Sequence, residues 1–281
     1  MKPNQTADKG LVRLGLRFEP GAIASACRAN TPPATRTEIG DQLEKLIRDF
    51  SSTETRINSP EKFVAEIDAV LAKTRLAPIL KCREQLNNSQ GFAYALQFQD
   101  PARGNLSMKV TTEKIRVGST KKLKKILKFN LVKSVEKVLF VYLHELMHVC
   151  QAPELEEFYS RYDADPQNLD FKGDVYRQRL LGEIEAYLVM NLAYTELVKY
   201  TPSLCVESGS TRRPTISEEY LESENALLNG SFAQTIISAY AETFKGHEEY
   251  ILDQGKFSLG KLNPKMKSKV ETLGIFVNDD F

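Results

Sequence analysis

Between Val132 and Gln151 the chain carries a strongly apolar helical pattern, with Val135, Val138, Leu139, Phe140, Leu143, Leu146 and Met147, into which three ionisable side chains are set: His144, Glu145 and His148. A helix that apolar is built to be buried, and ionisable groups on it are costly to desolvate unless they are paired or bound to metal. The segment therefore demands partners, and the rest of the fold has to deliver them. Positions four apart on a helix share a face, so His144 and His148 project the same way. Glu145 lies about 100° round the axis from His144. Pro153 is expected to end this helix.

Two imidazoles on one face can hold a single ion. Zinc takes neutral imidazole nitrogen at about 2.0–2.1 Å in a tetrahedral shell. Glu145 need not be a ligand. It is placed to act as general base toward a water whose pKa the metal lowers to about 7. The pattern H-E-x-x-H thus puts two metal ligands and a base into little more than one helical turn. Catalytic zinc usually has three protein ligands and one open position. A second long helix is expected from Lys172 to Tyr200, ended by Pro202, and it carries Glu183 and Glu185. Glu183 shares a stripe with Tyr176, Leu180, Tyr187, Met190 and Tyr194; Glu185 shares one with Gln178, Leu181, Val189, Leu192 and Glu196. The first stripe is the more apolar, so Glu183 is expected to be the more buried carboxylate and is the preferred third ligand. Glu185 and His247 stay open as alternatives.

His144-Glu145-Leu146-Met147-His148 followed by Glu183-Ile184-Glu185-Ala186 resembles the gluzincin metallopeptidases, in which a zinc-binding helix is followed by a second helix carrying E-x-x-A. The resemblance covers residues 90 to 200. It implies Zn²⁺ as cofactor, His144, His148 and Glu183 as metal ligands, Glu145 as catalytic base, and a peptide or protein as substrate. The activity it implies is that of an endopeptidase hydrolysing peptide bonds through metal-activated water. It also implies an edge strand that holds extended substrate, for which residues 115–119 are the candidate. The pattern departs from many relatives at Tyr187, which stands where Asp or Asn would orient a zinc histidine. His247 and Tyr187 are the candidate transition-state stabilisers, with Tyr250 and Tyr194 as further phenols. Two other readings belong to different classes: a non-catalytic metal-binding scaffold for a partner, and a zinc hydrolase of a non-peptide substrate. Retention of Glu145 weighs against the scaffold, since metal binding alone does not need it.

The remainder frames this centre. Residues 1–36 are polar and rich in Pro and Thr, and read as a flexible arm. A single domain is expected over 37–254, with a Gly/Lys-rich tail over 255–281. Helices are expected from Glu38 to Phe50 and from Ser59-Pro60-Glu61 onward, with Pro60 at the first helical position. From Gly91, Phe92, Tyr94, Leu96 and Phe98 alternate, as do Leu106, Met108 and Val110, and Ile115 and Val117 follow. That period predicts a small antiparallel sheet of about three strands before the zinc-binding helix. The fold class expected is α+β, mostly helical, with a minimal zincin-like core. The lysine-rich run 121–128 reads as a solvated connecting face, 154–170 as an acidic loop, and 220–244 as helical. The acidic residues Asp163, Asp165, Asp170 and Asp174 lack the spacing of a calcium loop.

Lys+Arg 38 against Asp+Glu 37 leaves a net charge of +1, so no nucleic-acid partner is expected. No apolar run reaches the length of a transmembrane helix. Cys27, Cys82, Cys150 and Cys205 form no C-x-x-C pair, so neither a zinc ribbon nor a thioredoxin-like redox motif is supported, and their even number permits disulfides. Cys150 lies about 200° round the helix from His148, and reads as a core or disulfide residue. No signal peptide is visible in residues 1–20. An extracytoplasmic location of a mature chain is preferred, with the cytoplasm as the alternative. Nothing in the sequence points to an oligomeric state.

Overall fold

The computed structural model describes residues 38–80, 109–117, 120–128, 135–201, 204, 216–229, 231–240, 242–243, 245–246, 252–253 and 256–257. The centre of the molecule is a pair of long helices, α4 (Val135–Ala164) and α5 (Leu169–Leu197), which make the most extensive contact between helices. The link between them is short, so they lie as antiparallel neighbours. Asn168 caps α5, its side-chain oxygen accepting from the backbone N–H of Asp170 at 3.0 Å and of Phe171 at 3.3 Å. Ahead of them stand α1 (Glu38–Asp49), the short α2 (Thr53–Asn58) and α3 (Pro60–Leu71), with Pro60 at the first turn as expected. After them come α6 (Ile216–Asn229) and α7 (Phe232–Ala239), both of which pack on α5.

One apolar core joins these helices. Leu43 and Leu46 of α1, Phe63 and Ile67 of α3, Leu139 and Leu143 of α4, and Leu181 and Val189 of α5 all belong to it. Phe140 meets Tyr194 and Tyr220 edge-on at 5.3 and 5.2 Å, and Tyr194 stacks on Tyr220 at 4.1 Å. This aromatic knot ties α6 to the central pair. Tyr142 donates to Asp68 at 2.8 Å, linking α4 to α3, and Thr201 hydrogen-bonds Glu44 of α1. The central pair is thereby held from both sides, which is what fixes the spacing of its polar groups.

The fold class differs from the α+β expectation. The described body is helical, and the small antiparallel sheet expected before the zinc-binding helix is not part of it. The alternating residues 92–98 and 106–108 that suggested it lie outside the described residues. Among the described residues, pairing before α4 is one two-stranded antiparallel ribbon, β1 (Lys109–Val117) against β2 (Thr120–Lys128), in register from Lys109↔Lys128 to Val117↔Thr120. A second, much shorter ribbon joins β3 (Leu252–Asp253) to β4 (Lys256–Phe257). Two strands alone do not make a sheet layer. A period of two reports a two-sided strand but says nothing of how many partners it finds. The minimal zincin-like core, which requires that layer, falls with it; of the segment expected as a substrate edge, 115–117 lie in β1 and 118–119 lie outside the described residues. The lysine-rich run expected as a connecting face is β2.

Two further differences concern α4. It does not stop at Pro153 but continues to Ala164, through the segment expected as an acidic loop. Phe158 is buried there, and Tyr159 and Tyr162 pack against the core, so the extension carries its own apolar face. That packing offsets the hydrogen bond and the steric clearance that an interior proline removes. Downstream, the stretch expected to be helical over 220–244 is two helices, α6 and α7.

Candidate metal centre

The polar groups on α4 do face α5. His144 and His148 stand one turn apart on α4, their Nε2 atoms 3.0 Å from one another, and Glu183 Oε2 of α5 lies 3.3 Å from each. These three are the candidate metal-binding group among the described residues. A tetrahedral shell with bonds of about 2.0–2.1 Å has edges of about 3.3–3.4 Å. The observed triangle, 3.0, 3.3 and 3.3 Å on its sides, is close to one face of that shell. All three corners are electron-pair donors, and a cation is the natural centre for such a set. The donor chemistry, two imidazoles and a carboxylate, suits zinc.

Burial shapes the electrostatics. His144 is buried and His148 half-buried. Burial opposes a charge on His148, yet the hydrogen bond and charge of Glu183, and then the charge of Glu145, hold its pKa above the ordinary imidazole value. Burial likewise opposes ionisation of Glu183, but hydrogen bonds to His144 and His148, and their charge, hold it well below the usual carboxylate range. Glu145 is buried beside this group, and its charge is felt at both His148 and Tyr187.

Compared with protein families, curated proteins and solved structures, the chain matches none. The site has to be read from its own geometry.

The other expected residues divide. Tyr187 is at the site: its ring lies edge-on to His144 at 4.6 Å. Tyr194 is not. It is fully buried in the aromatic knot and its hydroxyl donates to the Leu204 carbonyl at 2.7 Å, so it is a core residue. His247 and Tyr250 lie outside the described residues. Cys150 is part of a disulfide and packs against the core.

The burial ranking of the two glutamates is the reverse of the one expected. Glu185 is 1% exposed and the Glu183 side chain 22%. Glu183 nevertheless faces the histidines. Glu185 accepts a hydrogen bond from Gln151 Nε2 at 2.8 Å instead. The apolar stripe pointed to the carboxylate that faces the histidines, but for an insufficient reason, because a stripe reports a helix face and not the depth of each group on it.

Sequence reasoning missed two residues. Tyr240, just past the end of α7, donates to Glu183 Oε2 at 2.7 Å and also hydrogen-bonds Tyr187. Burial, then the charge of Glu183, push its phenol far above the ordinary value, so it stays a donor. No motif marks it; only the fold brings it within reach. Gln151 lies against His148, and its signal was present as a polar residue three positions after a ligand on the same helical face.

Proposed function

We propose that this protein is a zinc-dependent metallopeptidase of the endopeptidase type. The observation that carries the reading is the triangle of His144 Nε2, His148 Nε2 and Glu183 Oε2, whose 3.0–3.3 Å sides suit one tetrahedral ion, with Glu145 buried next to it. A bound zinc ion would supply Lewis acidity and a lowered water pKa. The residues then have distinct roles. His144, His148 and Glu183 hold the ion. Glu145, one position after the first ligand, takes the proton from the attacking water and returns it to the leaving amine. Tyr187, a phenol against His144, is the candidate donor to oxygen charge that develops on the substrate, while Tyr240 gives its one O–H to Glu183.

The same residues carry the resemblance to gluzincins, which here rests on the ligand pattern and not on the fold. A disulfide two residues beyond His148 suits an oxidising compartment. No helix among the described residues is long and apolar enough to cross a membrane.

The test compares bound zinc and cleavage of casein or a peptide mixture for the wild type and Glu145→Gln. Zinc retained in both, with cleavage lowered by about 10²–10⁴-fold in the variant, is the expected result. Equal cleavage by the variant would reject Glu145 as base. Bound zinc without cleavage by the wild type would support a non-catalytic scaffold.

A further inference from the structure

Behind the three candidate ligands lies a second polar group that the proposed reaction does not use. Gln151, on α4 and 7% exposed, sits three residues after His148, with its Oε1 3.0 Å from His148 Nδ1. Its Nε2 donates twice into α5, to the Gly182 carbonyl at 3.0 Å and to Glu185 Oε2 at 2.8 Å.

The orientation of a side-chain amide is normally open to a flip, but here the surroundings decide it. Both groups at Nε2 are acceptors. Turning the amide round would set its oxygen against two other oxygens, one of them on a carboxylate that is 1% exposed. Nε2 must therefore face α5, and Oε1 must face His148. An amide oxygen only accepts, so His148 Nδ1 must donate. A neutral imidazole carries a single N–H. With that proton on Nδ1, the lone pair is on Nε2, the atom that faces His144 and Glu183.

Gly182 belongs to the same device. A Cβ built there would stand 2.8 Å from Gln151 Oε1, so any side chain at 182 displaces the amide. Glycine at this position lets α5 come close enough for its carbonyl to hold Gln151, one residue before the candidate ligand Glu183.

We propose that Gln151, locked by the Gly182 carbonyl and Glu185, is a positioning residue that imposes the Nδ1–H tautomer on His148 and so presents Nε2 to the metal. Its metal consequence rests on the zinc reading above; the tautomer itself does not.

Long-range ¹H–¹⁵N spectra of the histidine rings, recorded in chelator at a pH where imidazole is neutral, read the tautomer directly. His148 of the wild type is expected in the Nδ1–H form, and Gln151→Leu is expected to lose that bias while keeping its helical circular dichroism. A wild-type His148 protonated on Nε2 would overturn the proposal. Zinc titration is the second arm, with Gln151→Leu and Gly182→Ala each expected to weaken zinc by about 10–100-fold. Wild-type zinc affinity in both variants would also overturn it. A wild type that binds no zinc would remove the metallopeptidase reading, and the tautomer measurement would still decide the role of Gln151.

Discussion

The α4–α5 pair holds two polar clusters, and they are balanced in opposite ways. Near the turn between the helices, Asp174 accepts from Arg177 at 2.8 Å and faces Arg161 at 3.7 Å, with the Arg161 guanidinium 4.6 Å above the Phe171 ring. Opposite charges meet there within the chain. Further along the same pair, His144, His148 and Glu183 bring three electron-pair donors within 3.3 Å of each other. One cluster is held by ion pairs between its own residues; the other gathers three donors that, on the proposed reading, a cation would hold together. Buried charge alone is therefore no sign of function, whereas buried donors converging on a point are.

The first way to break this comparison acts on the ion-paired cluster. Asp174 and Arg177 are both buried, so Arg177→Ala removes one partner and leaves a carboxylate with weakened compensation. A loss of about 3–5 kcal/mol is expected from urea denaturation. The loss should be the same in zinc and in EDTA, because that pair needs no ion. A loss that zinc reverses would blur the distinction between the clusters.

The converse experiment acts on the open one. Zinc at 100 times its Kd should stabilise the wild type by about 2.7 kcal/mol, with EDTA reversing the effect. Glu183→Ala should remove the response while leaving the helical spectrum intact. A zinc response that survives in Glu183→Ala would show that the triangle is not the binding group.

Acidity sharpens the contrast further. The pKa of His148 is raised in the folded state, so the stability it contributes without metal is fully present below the unfolded imidazole value and is lost as pH rises through the folded one. The pKa of Glu183 is depressed, so its contribution is present above the unfolded carboxylate value and is lost as pH falls through the folded one. Between the two unfolded values the metal-free pair stabilises most. Zinc has to displace the His148 proton, so its affinity should climb by up to about tenfold per pH unit, about 1.4 kcal/mol, until that imidazole is neutral. Calorimetric zinc titrations between pH 5 and 8 measure the slope, and a flat profile would contradict a histidine ligand set.

Much of the His144, His148 and Glu183 grouping was legible because helical periodicity is local. His144 and His148 share a face by spacing alone, and Pro60 marked the start of α3. What sequence could not reveal depends on packing over distance. The depth of Glu185 against Glu183 is set by Gln151 and the close approach at Gly182, neither of which a hydrophobic stripe reports. The continuation of α4 through Pro153 rests on Phe158 and its neighbours meeting the core, which overrides a strong local stop signal. The expected sheet failed for a related reason: alternation was read as layering, and a ladder needs partners that the period does not name.

Tyr240 gives the smallest effect and the finest test of the comparison. Its hydroxyl donates to Glu183 Oε2, the same oxygen that faces both histidines. In chelator that hydrogen bond helps to hold an ionised carboxylate between two half-compensating imidazoles, and Tyr240→Phe should cost about 1 kcal/mol. With zinc present the ion takes over most of that role, so the cost measured in the melting curve should shrink. At Asp174 no ion can substitute for a lost donor. If Tyr240→Phe were equally costly with and without zinc, Glu183 would be held by the phenol and not shared with a metal, and the two clusters would be of one kind.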